Sequence, residues 1–146
     1  MKPHVILLFS ILTLVGGCKV SPEDIQYNQD ECAHCKMQIS DNRFGAELVT
    51  VKGKVYKYDS AECLFRALSE GDKTEYEFIL VTDFTEPETL IDARTASFLV
   101  SPKRQSPMGG NLSAYRSENL AQTAMTELGG EVHSFNEMAA KYKSGK

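Results

Sequence analysis

The sequence lacks several features that would direct it to common classes of protein. It has 16 Lys and Arg against 20 Asp and Glu, a formal net charge of −4, so a basic nucleic-acid surface is not expected. It has no apolar run of about 20 residues, the length that crosses a bilayer, and no low-complexity tract. Its four cysteines and three histidines restrict metal and thiol chemistry to a few positions. These absences favour one modest domain with a localised site.

The N-terminus is typical of a secretory signal peptide. Lys2 precedes the run VILLFSILTLV at 5–15, which suits a signal peptide but is too short to span a bilayer. The following LVGGC resembles the lipobox of bacterial lipoproteins, which are cleaved before the cysteine and lipidated on its sulfur. We therefore expect residues 1–17 to be removed and Cys18 to anchor the chain in the cell envelope. Lys19, in place of the usual inner-membrane aspartate, favours the outer membrane, with the protein facing the periplasm; an ordinary secreted protein is the alternative.

The chain after Cys18 is predicted to consist of a tether and one domain. Residues 18–30 are polar and include a proline, which predicts a tether between lipid and domain. The domain is predicted at 31–143, with subdomains at about 31–86 and 87–143.

The first half is predicted to contain a hairpin, a helix and a strand. AELVTV and KVYKY flank Gly53, which predicts a β-hairpin with the glycine in its turn. A helix is predicted in DSAECLFRALSEG, with Asp59 as its N-cap, Glu62 completing a capping box and Gly71 at its end. The apolar run FILVT at 78–82 predicts a buried strand.

The second half is predicted to repeat this order. Strands are predicted at 90–92, at 95–100 and in NLSAY, followed by a helix in SENLAQTAMTEL. EVHSF predicts a last strand, and Ser134 with Glu137 predicts the capping box of a last short helix. Both halves then run strand, turn, strand, helix, strand. The segments YDSAECL and YRSENLA place a tyrosine and a serine 57 residues apart, which indicates a weak repeat.

The strongest chemical signal is ECAHCKMQI at 31–39. Cys32 and Cys35 have the spacing that turns two sulfurs toward one point, which suits a disulfide, zinc or copper. The strand before and helix after the motif that a thioredoxin-type site needs are missing, because the flanking NQDE and KMQISDNRFG are polar or irregular. A structural zinc site needs a further ligand pair at knuckle spacing. The remaining candidates are Cys63, His34 and His133.

Two methionines favour a softer metal. Met37 follows Cys35 by two residues and shares a face with it if the segment is extended. Thiolate with thioether is a ligand pair that selects Cu(I). Met108 lies in SPMGG, a loop with little apolar company, whereas methionines usually fill cores. Cys63, early in the first helix, is equally compatible with core packing and with a ligand role.

These motifs together resemble the NosL family of copper-binding lipoproteins. The resemblance spans roughly 30–138 and depends on CAHCKMQISDNRFGAELVTVKGKVYKYDSAECL, TEPETLIDARTASFLVSP, SPMGGNLSAY and GGEVHSFNEM. It implies an α+β fold of two similar ββαβ units packed together. It also implies a metallochaperone, not an enzyme, that holds Cu(I) and passes it to the maturation machinery of nitrous oxide reductase.

The resemblance also implies a set of ligands. By position, Cys35 and Met37 match a Cys-x-Met element and Met108 matches the methionine of a Pro-Met-Gly element. Cys32 is an addition to that pattern, and it is either a further ligand or a redox partner that controls occupancy. Cys63 stays a weaker candidate. The alternative function is a periplasmic thiol-disulfide protein that uses Cys32 and Cys35.

Overall fold

The structure is a computed structural model that describes residues 19–71 and 74–145. In chain order its elements are β1 (Ala46–Thr50), β2 (Val55–Tyr58), α1 (Ala61–Glu70), β3 (Tyr76–Thr82), β4 (Leu90–Asp92), β5 (Ser97–Val100), β6 (Leu112–Tyr115), α2 (Glu118–Leu128), β7 (Glu131–Ser134) and α3 (Phe135–Lys143). Within these ranges, no helix has the length and apolar character needed to cross a bilayer. The predicted signal peptide and Cys18 lie outside the described residues.

The first sheet is antiparallel and has the strand order β2-β1-β3-β4. β1 and β2 form the predicted hairpin, with Ala46 opposite Tyr58. Gly53 in its turn has a φ of 82°, a conformation that glycine adopts without steric cost. β1 lies between two partners and all five of its residues are buried. β4 follows residue 86 but pairs with β3, so this sheet extends into the predicted second half.

The second sheet is also antiparallel and has the order β6-β5-β7. Phe98 in β5 faces Ala114 on one side and His133 on the other. The two sheets arise from the successions β1-β2-α1-β3 and β5-β6-α2-β7. The predicted α+β fold of two ββαβ units is therefore confirmed.

The short repeat in the sequence marks equivalent positions of the two units. Tyr58 ends β2 and Tyr115 ends β6. Ser60 and Ser117 then occupy the N-cap positions of α1 and α2. A tyrosine that ends a strand and a serine that starts a helix thus recur in both units.

One hydrophobic core joins the two units. Phe65 of α1 is 1% exposed and its ring lies 5.2 Å from that of Phe98 in β5, edge to face. It also contacts two rings of α3, those of Phe135 at 5.4 Å and Tyr142 at 5.5 Å. Truncating such a residue to alanine typically costs about 3–5 kcal/mol. Phe65 therefore fixes α1 against both the second sheet and α3.

The start of α1 differs from the prediction. The N-cap residue is Ser60, not Asp59, and its side chain makes no capping hydrogen bond. Glu62 accepts a hydrogen bond from Ser106 across the molecule instead of completing a capping box. The predicted capping box of Ser134 and Glu137 at α3 is confirmed.

Part of the predicted tether packs against the first sheet. Ile25 is 8% exposed and belongs to the main core, with Tyr27 beside it. Lys57 of β2 donates to the carbonyl oxygen of Asp24 at 2.7 Å and to the Asp30 carboxylate at 2.9 Å. Two apolar side chains in a polar stretch are enough to dock the segment, because apolar burial drives packing.

Candidate metal centre

The Cys-x-x-Cys motif lies in a tight loop that β2 holds in place. Glu31 pairs with Gln38 in an isolated antiparallel bridge. Inside it, the Cys32 N–H donates to the Met37 carbonyl at 2.8 Å and the Lys36 N–H donates to the Cys32 carbonyl at 3.0 Å. Lys36 has a φ of 64°, which lets the chain reverse within so few residues. The motif is therefore a closed loop and not the start of a helix.

Two contacts attach this loop to the rest of the first unit. The Ala33 N–H donates to the carbonyl oxygen of Lys57 in β2 at 2.8 Å. His34 lies between the two cysteines in the chain, and its Nε2 atom is 3.2 Å from the Glu70 carboxylate at the end of α1. The imidazole thus pairs with α1.

The loop and α1 bring three thiols together. The Sγ atoms of Cys32, Cys35 and Cys63 all lie within 4.8 Å of one another. We call these three residues the thiol cluster. Cys32 and Cys63 are 0% exposed, Cys35 is half-buried, and all three are free cysteines. With metal–sulfur bonds of about 2.3 Å, three sulfurs around one ion lie about 4 Å apart, so a small inward movement would let them share an ion.

Cys32 is the most acidic thiol of the cluster. Its pKa is held well below the ordinary value, first by its hydrogen bond with the Cys63 thiol. Backbone N–H groups of Asp59, Cys35 and His34 also point at the sulfur, that of Cys35 from 3.5 Å. Donors aimed at a sulfur stabilise its thiolate form. Among the three thiols, Cys32 is thus the one whose thiolate form its contacts favour.

The other two thiols hold their protons more tightly. The hydrogen bond with Cys32, together with burial, raises the pKa of Cys63. The pKa of Cys35 is raised first by burial. A hydrogen bond with Cys32 and the negative charge of the Cys32 thiolate raise it further. Thiols that hold their protons tightly release them when a soft cation binds, because the thiolate is the metal-binding form.

The surroundings of the cluster are acidic. Asp59 precedes α1 and is 2% exposed. Burial raises the pKa of Asp59 to about 6, and the negative charges of Cys32, Glu62 and Asp41 add to that effect. A cation would reduce this repulsion, so the electrostatics favour binding a positive ion.

Met37 lies at the surface beside the cluster. Its side chain is 46% exposed, and its backbone N–H donates toward the sulfur of Cys35. Cys35 and Met37 were predicted to share one face of an extended segment. In the structure they lie instead at the end of the closed loop, where the Met37 backbone contacts the Cys35 sulfur. The role of Met37 as a metal ligand stays a prediction.

Met108 lies at the tip of a β-turn. The Gly109 N–H donates to the carbonyl oxygen of Ser106 at 2.9 Å, which places Pro107 and Met108 at the two central positions. Proline suits the first of these because its ring fixes φ. Met108 is partly buried and packs against the core cluster that includes Cys32 and Cys63. Its predicted role as a ligand is compatible with this placement and stays a prediction.

Glu62 lies beside the candidate site, although the sequence predicted for it only a helix-capping role. It directly precedes Cys63, is 1% exposed, and accepts a hydrogen bond from the hydroxyl of Ser106, the first residue of the Met108 turn. The spacing from Asp59 suggested a capping box, but that spacing also occurs where a glutamate reaches across to another segment. No local pattern distinguishes the two cases.

Comparisons with known proteins agree with this fold. The family model NosL matches residues 24–143. Among solved structures, the chain is similar to the crystal structure of the copper chaperone NosL from Shewanella denitrificans, with a TM-score of 0.70 and 24% sequence identity. That match covers 82% of this chain and 96% of the other, and it shows a common fold. No match was found among curated proteins. Because the family model covers most of the sequence, the chain belongs to the NosL family.

Proposed function

We propose that this protein is a metallochaperone, not an enzyme, that binds Cu(I) and delivers it for the assembly of nitrous oxide reductase. The observation that carries the proposal is the thiol cluster, three sulfurs within 4.8 Å of one another in a chain of the NosL family. Thiolates and thioethers are soft ligands and favour Cu(I). The solved structure that this chain resembles is described as a copper chaperone, which supports the same function.

The proposed Cu(I) ligands are the sulfur atoms of Cys35, Met37 and Met108, residues that are less buried than Cys32 and Cys63. Cys35 is half-buried and Met37 is exposed, and Met108, in the second unit, is partly buried. Cys32 and Cys63 offer two further sulfurs, both fully buried. A site with one accessible side suits transfer, because a partner's ligands can attack the ion before all of the first set are released.

We also propose that Cys18 is lipidated and that the protein is anchored in the bacterial cell envelope, facing the periplasm from the outer membrane. The lipobox LVGGC supports this. Metabolic labelling with a fatty acid tests it: we expect label in the wild-type protein and none in Cys18→Ala. Label that persists in the variant would rule out this anchor. The proposed partner is the maturation machinery of nitrous oxide reductase, either a copper-accepting protein or a transporter.

Competition with a Cu(I) chelator tests the binding site. We expect the wild-type protein to take one Cu(I) and each of Cys35→Ala, Met37→Ala and Met108→Ala to bind it more weakly. Met125→Leu, in α2, is the control and is expected to keep wild-type affinity. Unchanged affinity in all three variants would refute the ligand assignment.

A thiol-disulfide activity is the second candidate function, and one observation favours it. The hydrogen bond with Cys63 and backbone N–H groups lower the pKa of Cys32, and two further thiols lie within 4.8 Å of its sulfur. This candidate requires metal-free thiol exchange that Cys32→Ser abolishes and that Met37→Ala and Met108→Ala leave intact. Exchange lost equally in the methionine variants would contradict it.

A further inference from the structure

Glu62 is a buried acid on α1 that contacts the second ββαβ unit. Its Oε1 atom accepts a hydrogen bond from the hydroxyl of Ser106 and another, at 3.5 Å, from the N–H of Leu112 in β6. Burying an acid that is 1% exposed is costly unless donors compensate it, and the two donors to Oε1 offset part of that cost, while Oε2 is buried without a hydrogen-bond partner among the described residues. Glu62 thus binds both ends of the loop that leads from Ser106 to Leu112.

Ser106 connects Glu62 to the Met108 turn. Its hydroxyl donates to Glu62 and accepts from the N–H of Asn111 at 2.9 Å. Its carbonyl oxygen accepts the N–H of Gly109, which closes the turn around Met108. The hydroxyl therefore links the acid on α1 to the far end of the loop.

The backbone of the loop lies directly against Glu62. A Cβ atom built at Gly110 would be 3.0 Å from both Cγ and Oε1 of the glutamate. That distance is shorter than ordinary van der Waals contact, so a side chain at this position would require the Glu62 side chain or the loop to shift by a few tenths of an ångström. The contact between the Met108 loop and α1 is thus close as well as hydrogen-bonded.

We propose that Glu62 is the positioning residue that holds the Met108 turn against α1, so that Met108 can reach the thiol cluster, an inference that rests on the proposed Cu(I) function. Glu62 and Cys63 are neighbours in the first turn of α1, so one short segment contributes a thiol to the cluster and fixes the turn that presents Met108. The first unit provides the cysteines and the second unit provides Met108. Their relation to each other is set at Glu62.

Positioning matters for Met108 because a thioether is a neutral ligand. Such a ligand contributes to affinity mainly when it is already in place, since ordering a free loop on binding would offset its contribution. Groups that orient ligands in this way typically change metal affinity by about 10–100-fold when they are removed. We therefore expect Glu62→Ala to weaken Cu(I) binding by about 10-fold or more.

A double-mutant cycle with Cu(I) tests the inference. The wild-type protein, Glu62→Ala, Met108→Ala and the double variant are titrated against a Cu(I) chelator, and the sulfur neighbours of bound copper are counted by X-ray absorption. We expect both single variants to bind more weakly and to lose one sulfur neighbour. The double variant is expected to be no weaker than Met108→Ala. Additive losses, or wild-type affinity in Glu62→Ala, would overturn the inference.

A second pair of variants keeps the test decisive if Glu62→Ala does not fold. Ser106→Ala removes the hydroxyl that joins Glu62 to the turn, and we expect the same loss of affinity and of one sulfur neighbour. Ser113→Ala is its matched control, a buried serine of β6 whose hydroxyl contacts Leu99 and Tyr115 instead. We expect it to bind as the wild type does; equal losses in the two serine variants would overturn the inference.

The two proposals fail in different ways. If the wild-type protein takes up no Cu(I), or if cysteine variants bind as well as it does, the proposed function is wrong. If cysteine variants lose affinity while Glu62→Ala and Ser106→Ala keep it, only the positioning role is wrong. Glu62→Gln, which retains the Oε1 acceptor, is expected to stay close to wild-type affinity.

Discussion

The sulfur atoms of Cys32 and Cys63 lie within 4.8 Å of each other, and their contact joins α1 to the loop of the Cys-x-x-Cys motif. The contact lowers the pKa of Cys32 and raises the pKa of Cys63. A metal ion that bound both sulfurs would replace the shared proton. The two buried cysteines could therefore serve as ligands of the proposed Cu(I) ion together with the half-buried Cys35.

The first prediction concerns these buried thiols. We expect Cys32→Ser and Cys63→Ser each to weaken Cu(I) binding by about 10–100-fold or more, since loss of a ligand should cost at least as much as loss of a group that orients one. Chelator competition gives the affinity and X-ray absorption counts the sulfurs around copper. A Cys63→Ser protein with unchanged affinity and sulfur count would assign Cys63 to packing alone.

The second prediction is that Cu(I) affinity rises with pH. The pKa values of Cys35 and Cys63 are raised, so both are protonated near neutral pH and must lose protons to bind the ion. The pKa of Cys32 is lowered, so it releases none. Each released proton makes affinity rise about tenfold per pH unit. Competition titrations between about pH 6 and 8 measure the slope, and a flat profile would mean that neither protonated thiol binds copper.

The third prediction concerns stability and the buried carboxyl of Glu47 in β1. Burial raises its pKa from 4.5 to about 7, although its Oε1 atom accepts the N–H of Glu23. The folded protein therefore holds a proton that the unfolded chain has lost, and stability falls as pH rises from about 4.5 to about 7. The loss is up to about 3 kcal/mol and complete above that range.

Glu47→Gln removes this titration. We expect the stability of the variant, relative to the wild type, to increase with pH through this window, as measured by chemical denaturation at several pH values. Glu77→Gln, on the exposed side of the neighbouring strand β3, is the matched control and is expected to follow the wild type. A constant difference between Glu47→Gln and wild type across the window would contradict the prediction.

The fourth prediction concerns the exposed thioether. Met37 is 46% exposed while Cys32 and Cys63 are fully buried, so an incoming ligand or donor reaches the cluster from the Met37 side. We expect Met37→Leu to slow Cu(I) loading from a donor complex, followed by stopped flow, more than it lowers affinity at equilibrium. Met125→Leu is the matched control. A loading rate equal to that of the wild type would count against this route.

Local sequence patterns predicted most of the elements of the fold. The hairpin around Gly53 and the capping box at Ser134 depend on residues a few positions apart, so short windows contain the information. The start of α1 was predicted less well. Whether Glu62 reaches back to cap its helix or across to Ser106 depends on a partner 44 residues away.

The candidate site shows the same division. The spacing of Cys32 and Cys35 was enough to predict two sulfurs near one point, because the loop between them is short. Cys63 was ambiguous, because a cysteine in a helix looks the same whether it packs in a core or completes a cluster. The burial of the thiols and the exposure of Met37 follow from how the loop closes on β2, which no short window contains.

The docked segment that begins near Glu23 sets how far the domain can move from its proposed anchor. With lipid on Cys18, only four peptide links lead to Pro22, a span of about 14 Å when fully extended. Val20 also lies close to the β1–β2 turn at Gly53, which keeps that end of the first sheet nearest the lipid. With lipid on Cys18, the domain would stay close to the membrane surface and diffuse laterally with its anchor. Its encounter with an acceptor in the same membrane would then be a two-dimensional diffusional search.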